Sequence, residues 1–144
     1  MKFIKTLLVL SFLSIMFLTM ACEDNEMVDT PPESATLSGT ITFTGTWPDT
    51  GAVAVSLSST WPPQGAPAAS AAITSADLSN NTYTYTFENV TFGSYASITV
   101  SWEDPNDTNP MTNQHTLGVY GATAEAYFMD ATSVTVTETE YELT

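Results

Sequence analysis

The main absence in this 144-residue sequence is positive charge. Its only basic residues, Lys2 and Lys5, lie at the extreme N-terminus, whereas all 16 Asp and Glu residues follow Cys22. The chain after Cys22 therefore has a formal charge of −16, against −14 for the whole sequence. Such a surface repels phosphate backbones and anionic lipid, which excludes nucleic acid as a partner. Self-repulsion predicts that added salt or Ca²⁺ stabilises the fold.

Catalytic groups are equally scarce. The sequence has one histidine, His115, and one cysteine, Cys22, and it lacks both a Gly-x-Ser-x-Gly elbow and a lysine-bearing phosphate loop. A zinc site would need several Cys or His ligands. A pair of carboxylates acting on a glycosidic bond stays open, but no pair stands out. We predict a protein that is not an enzyme.

Long apolar runs are confined to the N-terminus. Thr6 to Met20 form a run of 15 residues behind Lys2 and Lys5, and Ala21 follows as a small residue. As a helix this run spans about 22 Å, short of the roughly 30 Å hydrocarbon core of a bilayer. Residues 1–21 are therefore predicted to be a signal peptide.

The segment Leu18-Thr19-Met20-Ala21-Cys22 resembles the lipobox of bacterial lipoproteins, in a form similar to that of Bacteroidetes-type lipoproteins. Thr19 stands where the usual box has a large aliphatic residue. The resemblance implies acylation of Cys22 and anchoring in the outer membrane. The acids Glu23, Asp24 and Glu26 imply export to the cell surface. The alternative is an ordinary cleaved leader that leaves a free thiol.

Residues 22–36 follow as a tether. Residues 23–36 carry five acids and two prolines with almost no apolar side chains, so they cannot bury enough surface to fold. One folded domain is predicted over residues 37–144, which is long enough for a core without disulfides.

The predicted domain is all-β. Apolar residues alternate with Thr or Ser over 37–46, 52–58 and 82–102, and loops rich in Pro, Gly and Asn separate these runs. Turns are predicted at 47–51 and 77–81. Residues 37–46 and 52–58 form either a hairpin or a pair that changes sheet. A slip in the alternation predicts a bulge near Ala96–Ser97. Further strands are expected at 71–74, 115–120, 134–136 and 141–143, with a turn at 138–140.

About seven short antiparallel strands indicate a β-sandwich. The predicted core consists of Ile41, Phe43, Val53, Val55, Leu57, Ile73, Tyr85, Phe87, Val90, Tyr95, Ile98, Val100, Leu117, Val119 and Val134. The pattern Tyr85-x-Phe87-x-x-Val90-x-x-Gly93-x-Tyr95 resembles the strand–turn–strand signature of prealbumin-like domains, including the Cna-B and carboxypeptidase-regulatory-like types. The lysine–asparagine cross-link of many Cna-B-like domains cannot form in a mature chain without lysine.

Two sets of residues are candidates for binding. Oxygen ligands cluster over 103–109 and suit Ca²⁺, a possible cofactor, although the order departs from the EF-hand pattern and a solvated turn is the alternative. These ligands are Glu103, Asp104, Asn106 and Asp107. Trp47, Trp61 and Trp102 suit stacking on sugar rings if exposed, or closure of the sandwich ends if buried.

The sequence thus predicts a lipid-anchored β-sandwich of the outer membrane, held by acyl chains on Cys22. Its expected role is binding or adhesion, with carbohydrate or an envelope protein as the partner. The alternative is a purely structural or accessory subunit of an envelope assembly without a small ligand.

Overall fold

The computed structural model of the protein describes residues 30–110, 112–122, 126, 131–140 and 142–143. These residues hold nine β-strands and one 3-10 turn, Ser75–Asp77. The strands are β1 (Ala35–Thr42), β2 (Ala52–Ser58), β3 (Ala69–Ile73), β4 (Thr82–Val90), β5 (Gly93–Tyr95), β6 (Ser97–Glu103), β7 (Gln114–Val119), β8 (Val134–Val136) and β9 (Glu142–Leu143). The all-β class is confirmed, with nine strands in the described part of the chain rather than about seven.

The strands form two main sheets and one small one. The first has the order β4-β1-β9 and the second the order β3-β2-β6-β7, while β5 pairs with β8. Every pairing between named strands is antiparallel except that of β9, which lies parallel to β1. Buried residues from all three sheets form a single core cluster, as an antiparallel sandwich requires.

Threonine alternation explains the pairing of β1 with β4. Gly39 lies opposite Tyr85 and Thr40 opposite Thr84, so hydroxyls share one face while Leu37, Tyr85 and Phe87 point to the core. The predicted turn before β4 is present: Asn80 and Asn81 have φ angles of 52° and 60°, in the left-handed region that tight two-residue turns use.

Two of the places where the chain passes from one sheet to another are places where the sequence pattern was ambiguous. Residues 43–51 carry it from β1 in the first sheet to β2 in the second, so these strands are a sheet-changing pair rather than a hairpin. The predicted bulge near Ala96–Ser97 is wrong. Ala96 lies between β5, which pairs with β8, and β6, which pairs with β2 and β7. The slip in the alternation of apolar and polar residues therefore coincides with a change of sheet.

Ten predicted core residues are buried, and five are not fully so. Ile41, Phe43, Val119 and Val134 are only half-buried, and Leu117 is 48% exposed. β7 is an edge strand with a register shift opposite Val100/Ser101, where Leu117 has no partner in the ladder. The core also includes three residues absent from the prediction, Ala35, Leu37 and Val136.

The N-terminal boundary of the sandwich lies earlier than expected. β1 begins at Ala35, which is 1% exposed, whereas the domain was predicted to start at residue 37. Contacts divide the chain into Met1–Thr30 and Pro31–Thr144, and every strand belongs to the second unit. No helix in the described ranges is long and apolar enough to cross a membrane.

Candidate functional site

Trp47 occupies the loop that carries the chain from β1 to β2. Its indole packs edge-on against Phe43, with ring centroids 5.1 Å apart and planes at 69°. The indole is half-buried against the core, so it is held in place while part of its surface remains exposed.

Trp102, at the end of β6, holds this loop in position. Its indole Nε1 donates a hydrogen bond of 2.8 Å to the carbonyl oxygen of Thr50. Its ring stacks on His115, with centroids 5.2 Å apart and planes at 26°. The indole N–H of Trp102 is therefore already used within the protein.

Gly51 allows the loop to approach β6 so closely. Its φ of +89° lies in the left-handed region, and a Cβ there would collide with the Glu103 carbonyl oxygen and with Trp102 Nε1. Only glycine can both adopt this φ angle and lie this close to β6 without rearrangement of its neighbours. The segment Thr50–Gly51 is thus fixed against Trp102, which also limits the positions open to Trp47.

A first cleft of about 260 Å³ opens beside Trp47, between the end of β1 and β7. Its apolar lining comes mainly from Phe43, Trp47, Val100 and Leu117, and its polar lining from Thr42 and Asn81. An aromatic wall with hydroxyl and amide groups around it is the chemistry that binds a neutral sugar ring.

A second cleft of about 440 Å³ adjoins the same loop. It is lined by Trp47, Pro48, Asp49, Ile73, Thr74 and Ser75, together with Gly51. Trp47 and Pro48 line both clefts. They form the Trp47–Pro48 ridge, which separates the first cleft from the second.

The three tryptophans do not form one surface. Trp47 and Trp102 lie at the end of β2 where Ala52 pairs with Glu103, whereas Trp61 follows the other end of β2, where Ser58 pairs with Ser97. The seven residues of β2 separate the two ends by about 20 Å. Trp61 is half-buried and precedes Pro62 through a cis peptide bond. A ligand-binding site formed around Trp47 therefore does not include Trp61.

Two of the predicted calcium ligands, Asp104 and Asp107, accept hydrogen bonds from groups within their own loop. Asp104 Oδ1 accepts hydrogen bonds from Asn106 N at 2.9 Å and Asn106 Nδ2 at 3.1 Å. Asp107 accepts from Asn109 N at 2.9 Å and from Thr112 Oγ1 at 2.6 Å. These bonds lower the pKa of Asp107, and the bond from Thr112 has the largest effect.

Glu103 accepts instead from Asn113 Nδ2 at 3.3 Å. In the part of the chain that the structure describes, no group of three or more His, Cys, Asp or Glu side chains is placed to hold a metal ion. The arrangement matches the alternative given above, a solvated turn closed by Asx hydrogen bonds.

Sequence reasoning selected Trp47 but missed its neighbours in the clefts. Phe43 was assigned to the core, Asn81 to a turn, and Asp49 to the turn that follows Trp47. The motif Trp47-Pro48-Asp49-Thr50-Gly51 already places an aromatic ring and a carboxylate two residues apart. Cys22, the leader and most of the tether lie outside the described residues.

Comparisons with protein-family models, with curated proteins and with solved structures find no match to this chain.

Proposed function

We propose that this protein is a lipid-anchored, non-catalytic β-sandwich of the bacterial outer membrane, exposed at the cell surface, which binds carbohydrate. The anchoring rests on the sequence: a short apolar leader ends at the only cysteine, Cys22, and an acidic tether follows. The resemblances to Bacteroidetes-type lipoproteins and to prealbumin-like domains support the same proposal.

One observation carries the binding role: the Trp47–Pro48 ridge stands between two clefts. A sugar ring has an apolar face that stacks on an indole and hydroxyl groups that need hydrogen-bond partners. The first cleft supplies the aromatic wall through Trp47 and Phe43, and polar partners through Thr42 and Asn81. The brace from Trp102 to Thr50 keeps the loop ordered before a ligand arrives, which lowers the entropic cost of binding.

A glycan array probed with the full-length protein in a non-glycosidic detergent tests the binding role. We expect retention on a restricted set of neutral or cationic glycans. Trp47→Ala should weaken binding about tenfold or more, because the ring that separates both clefts is lost. Trp61→Ala is the matched control, since it removes an indole at the other end of β2 and should leave binding unchanged.

No retention on any glycan would refute the carbohydrate role and favour the structural or accessory subunit. Equal weakening by Trp47→Ala and Trp61→Ala would refute the assignment of the site to the Trp47–Pro48 ridge, because the two side chains lie at opposite ends of β2.

The anchor has its own test. Cys22→Ser removes the atom that would carry the acyl chains, so the protein should move from the membrane fraction to the soluble fraction of a bacterial host that processes lipoproteins. Metabolic labelling with a fatty acid should mark the parent chain and not the variant. Unchanged membrane retention together with no label in the parent would exclude the lipid anchor.

A further inference from the structure

The two clefts differ in charge. The first cleft has no acidic or basic residue in its lining. The second has exposed Asp49 in its lining, together with Trp47. A ligand that lies across the Trp47–Pro48 ridge therefore meets a neutral pocket on one side and an anionic pocket on the other.

A second carboxylate lies next to this pocket. Thr74 lines the second cleft, and its backbone N and its Oγ1 donate to Asp77 Oδ2 at 2.8 Å and 2.6 Å. These two bonds hold the Asp77 carboxylate on Thr74, so that it lies one residue away from the cleft lining. The same bonds lower the pKa of Asp77, and the bond from the Thr74 side chain has the larger effect. Asp77 therefore stays ionised at neutral pH.

An indole wall combined with a carboxylate is a favourable site for an ammonium group. The face of a tryptophan ring attracts a cation within about 6 Å of its centre, and a nearby carboxylate adds a charge-assisted hydrogen bond. An anionic ligand, in contrast, finds no counter-ion, because every Lys and Arg of the chain precedes Thr6.

We infer that the second cleft binds the protonated amino group of an amino sugar, so that the ligand is an oligosaccharide with free amines rather than a uronic or sulfated glycan. This inference rests on the proposed carbohydrate-binding function. One ring of the ligand stacks in the first cleft, and the next ring places its ammonium group between Trp47 and Asp49.

A matched pair of ligands tests the inference. The hexamer of β-1,4-linked glucosamine and its fully N-acetylated form share a backbone and differ only in amine against acetamide. Isothermal titration of the full-length protein in a non-glycosidic detergent should give about tenfold tighter binding of the amine form.

Asp49→Asn keeps the shape of the second cleft and removes its charge. It should abolish most of the preference for the amine form, because it weakens binding of the amine hexamer much more than binding of the acetylated hexamer. Asp107→Asn is the control, because it removes a carboxylate from the loop between β6 and β7, outside the lining of both clefts. It should retain the preference, and thermal melts of both variants report whether the fold is intact.

The outcomes distinguish failure of the amine subsite from failure of the carbohydrate-binding function. Equal affinity for both hexamers, lost in Trp47→Ala, overturns the amine subsite but keeps the carbohydrate role. A preference that survives Asp49→Asn also overturns it, since a polycation is then attracted to the acidic surface at large. Hexalysine bound as tightly as the amine hexamer, through Asp49, points to a protein ligand and overturns the glycan assignment. No binding of either hexamer or of any arrayed glycan removes both proposals.

Discussion

Trp102 shows how a residue type can indicate a site without being its binding surface. It was a candidate for sugar stacking, yet its N–H is bonded to Thr50 and its ring lies against His115. It acts on the clefts through the loop that it holds. The tryptophan that lines both clefts in this region is Trp47.

This role of Trp102 predicts the effect of Trp102→Phe. The variant keeps an aromatic ring against His115 but loses the donor to Thr50, so the unfolding free energy should fall by about 1 kcal/mol. Glycan affinity should fall as well, because the loop that carries Trp47 is less ordered. Chemical denaturation and titration measure the two effects.

Trp61→Phe provides the comparison, and it should leave glycan affinity unaltered. Should Trp102→Phe bind glycan like the parent, the brace would have no part in binding.

At the scale of the strands, Gly39 illustrates how closely neighbouring strands of the first sheet are fitted. It lies in the middle of β1, opposite Tyr85, and a Cβ there would lie 2.7 Å from Tyr85 Cζ. The buried Tyr85 ring therefore occupies the space that any other residue at position 39 would need.

Gly39→Ala should accordingly destabilise the fold by about 1–3 kcal/mol, because the Tyr85 ring must move within a packed core. Gly118→Ala is the matched control, since a Cβ on this β7 residue would meet no atom within 4 Å. Its effect should stay within about 0.5 kcal/mol. Equal melting temperatures for the two variants would contradict the packing argument.

The strands were predictable where side chains alternate over a whole run, as in β1, β2 and β4. Prediction failed where tertiary partners decide the outcome. The slip in alternation at Ala96 does not by itself distinguish a bulge from a change of sheet, and the apolar character of Leu117 does not reveal that β7 is an edge strand. For the same reason the sequence named Trp47 but could not place Asn81 in the same cleft, since the backbone of Asn81 meets that of Phe43 only when β1 and β4 pair.

At the scale of the whole molecule, unbalanced negative charge dominates the response to solvent. Like charges within about 10 Å repel at low ionic strength, and the unfolded chain relieves this repulsion. We expect the melting temperature to rise by a few degrees between low salt and 0.5 M NaCl and then to level off, which scanning calorimetry measures.

Calcium chloride at matched ionic strength distinguishes screening from specific binding. The carboxylates of Asp104 and Asp107 already accept hydrogen bonds within their loop, so we expect Ca²⁺ to stabilise the fold no more than NaCl does. Added stabilisation that Asp104→Asn abolishes would instead support a bound ion in the loop of residues 103–109. A melting temperature that ignores both salts would contradict the role of self-repulsion.

The direction of β1 separates the entry to the sandwich from the ridge. The chain enters at Ala35, whereas the first cleft lies around and after Thr42, at the far end of a strand about 24 Å long. A carrier protein or a solid support joined before Ala35 would therefore meet the sandwich at the end of β1 away from the ridge. Immobilisation through this end should preserve binding in surface-based assays.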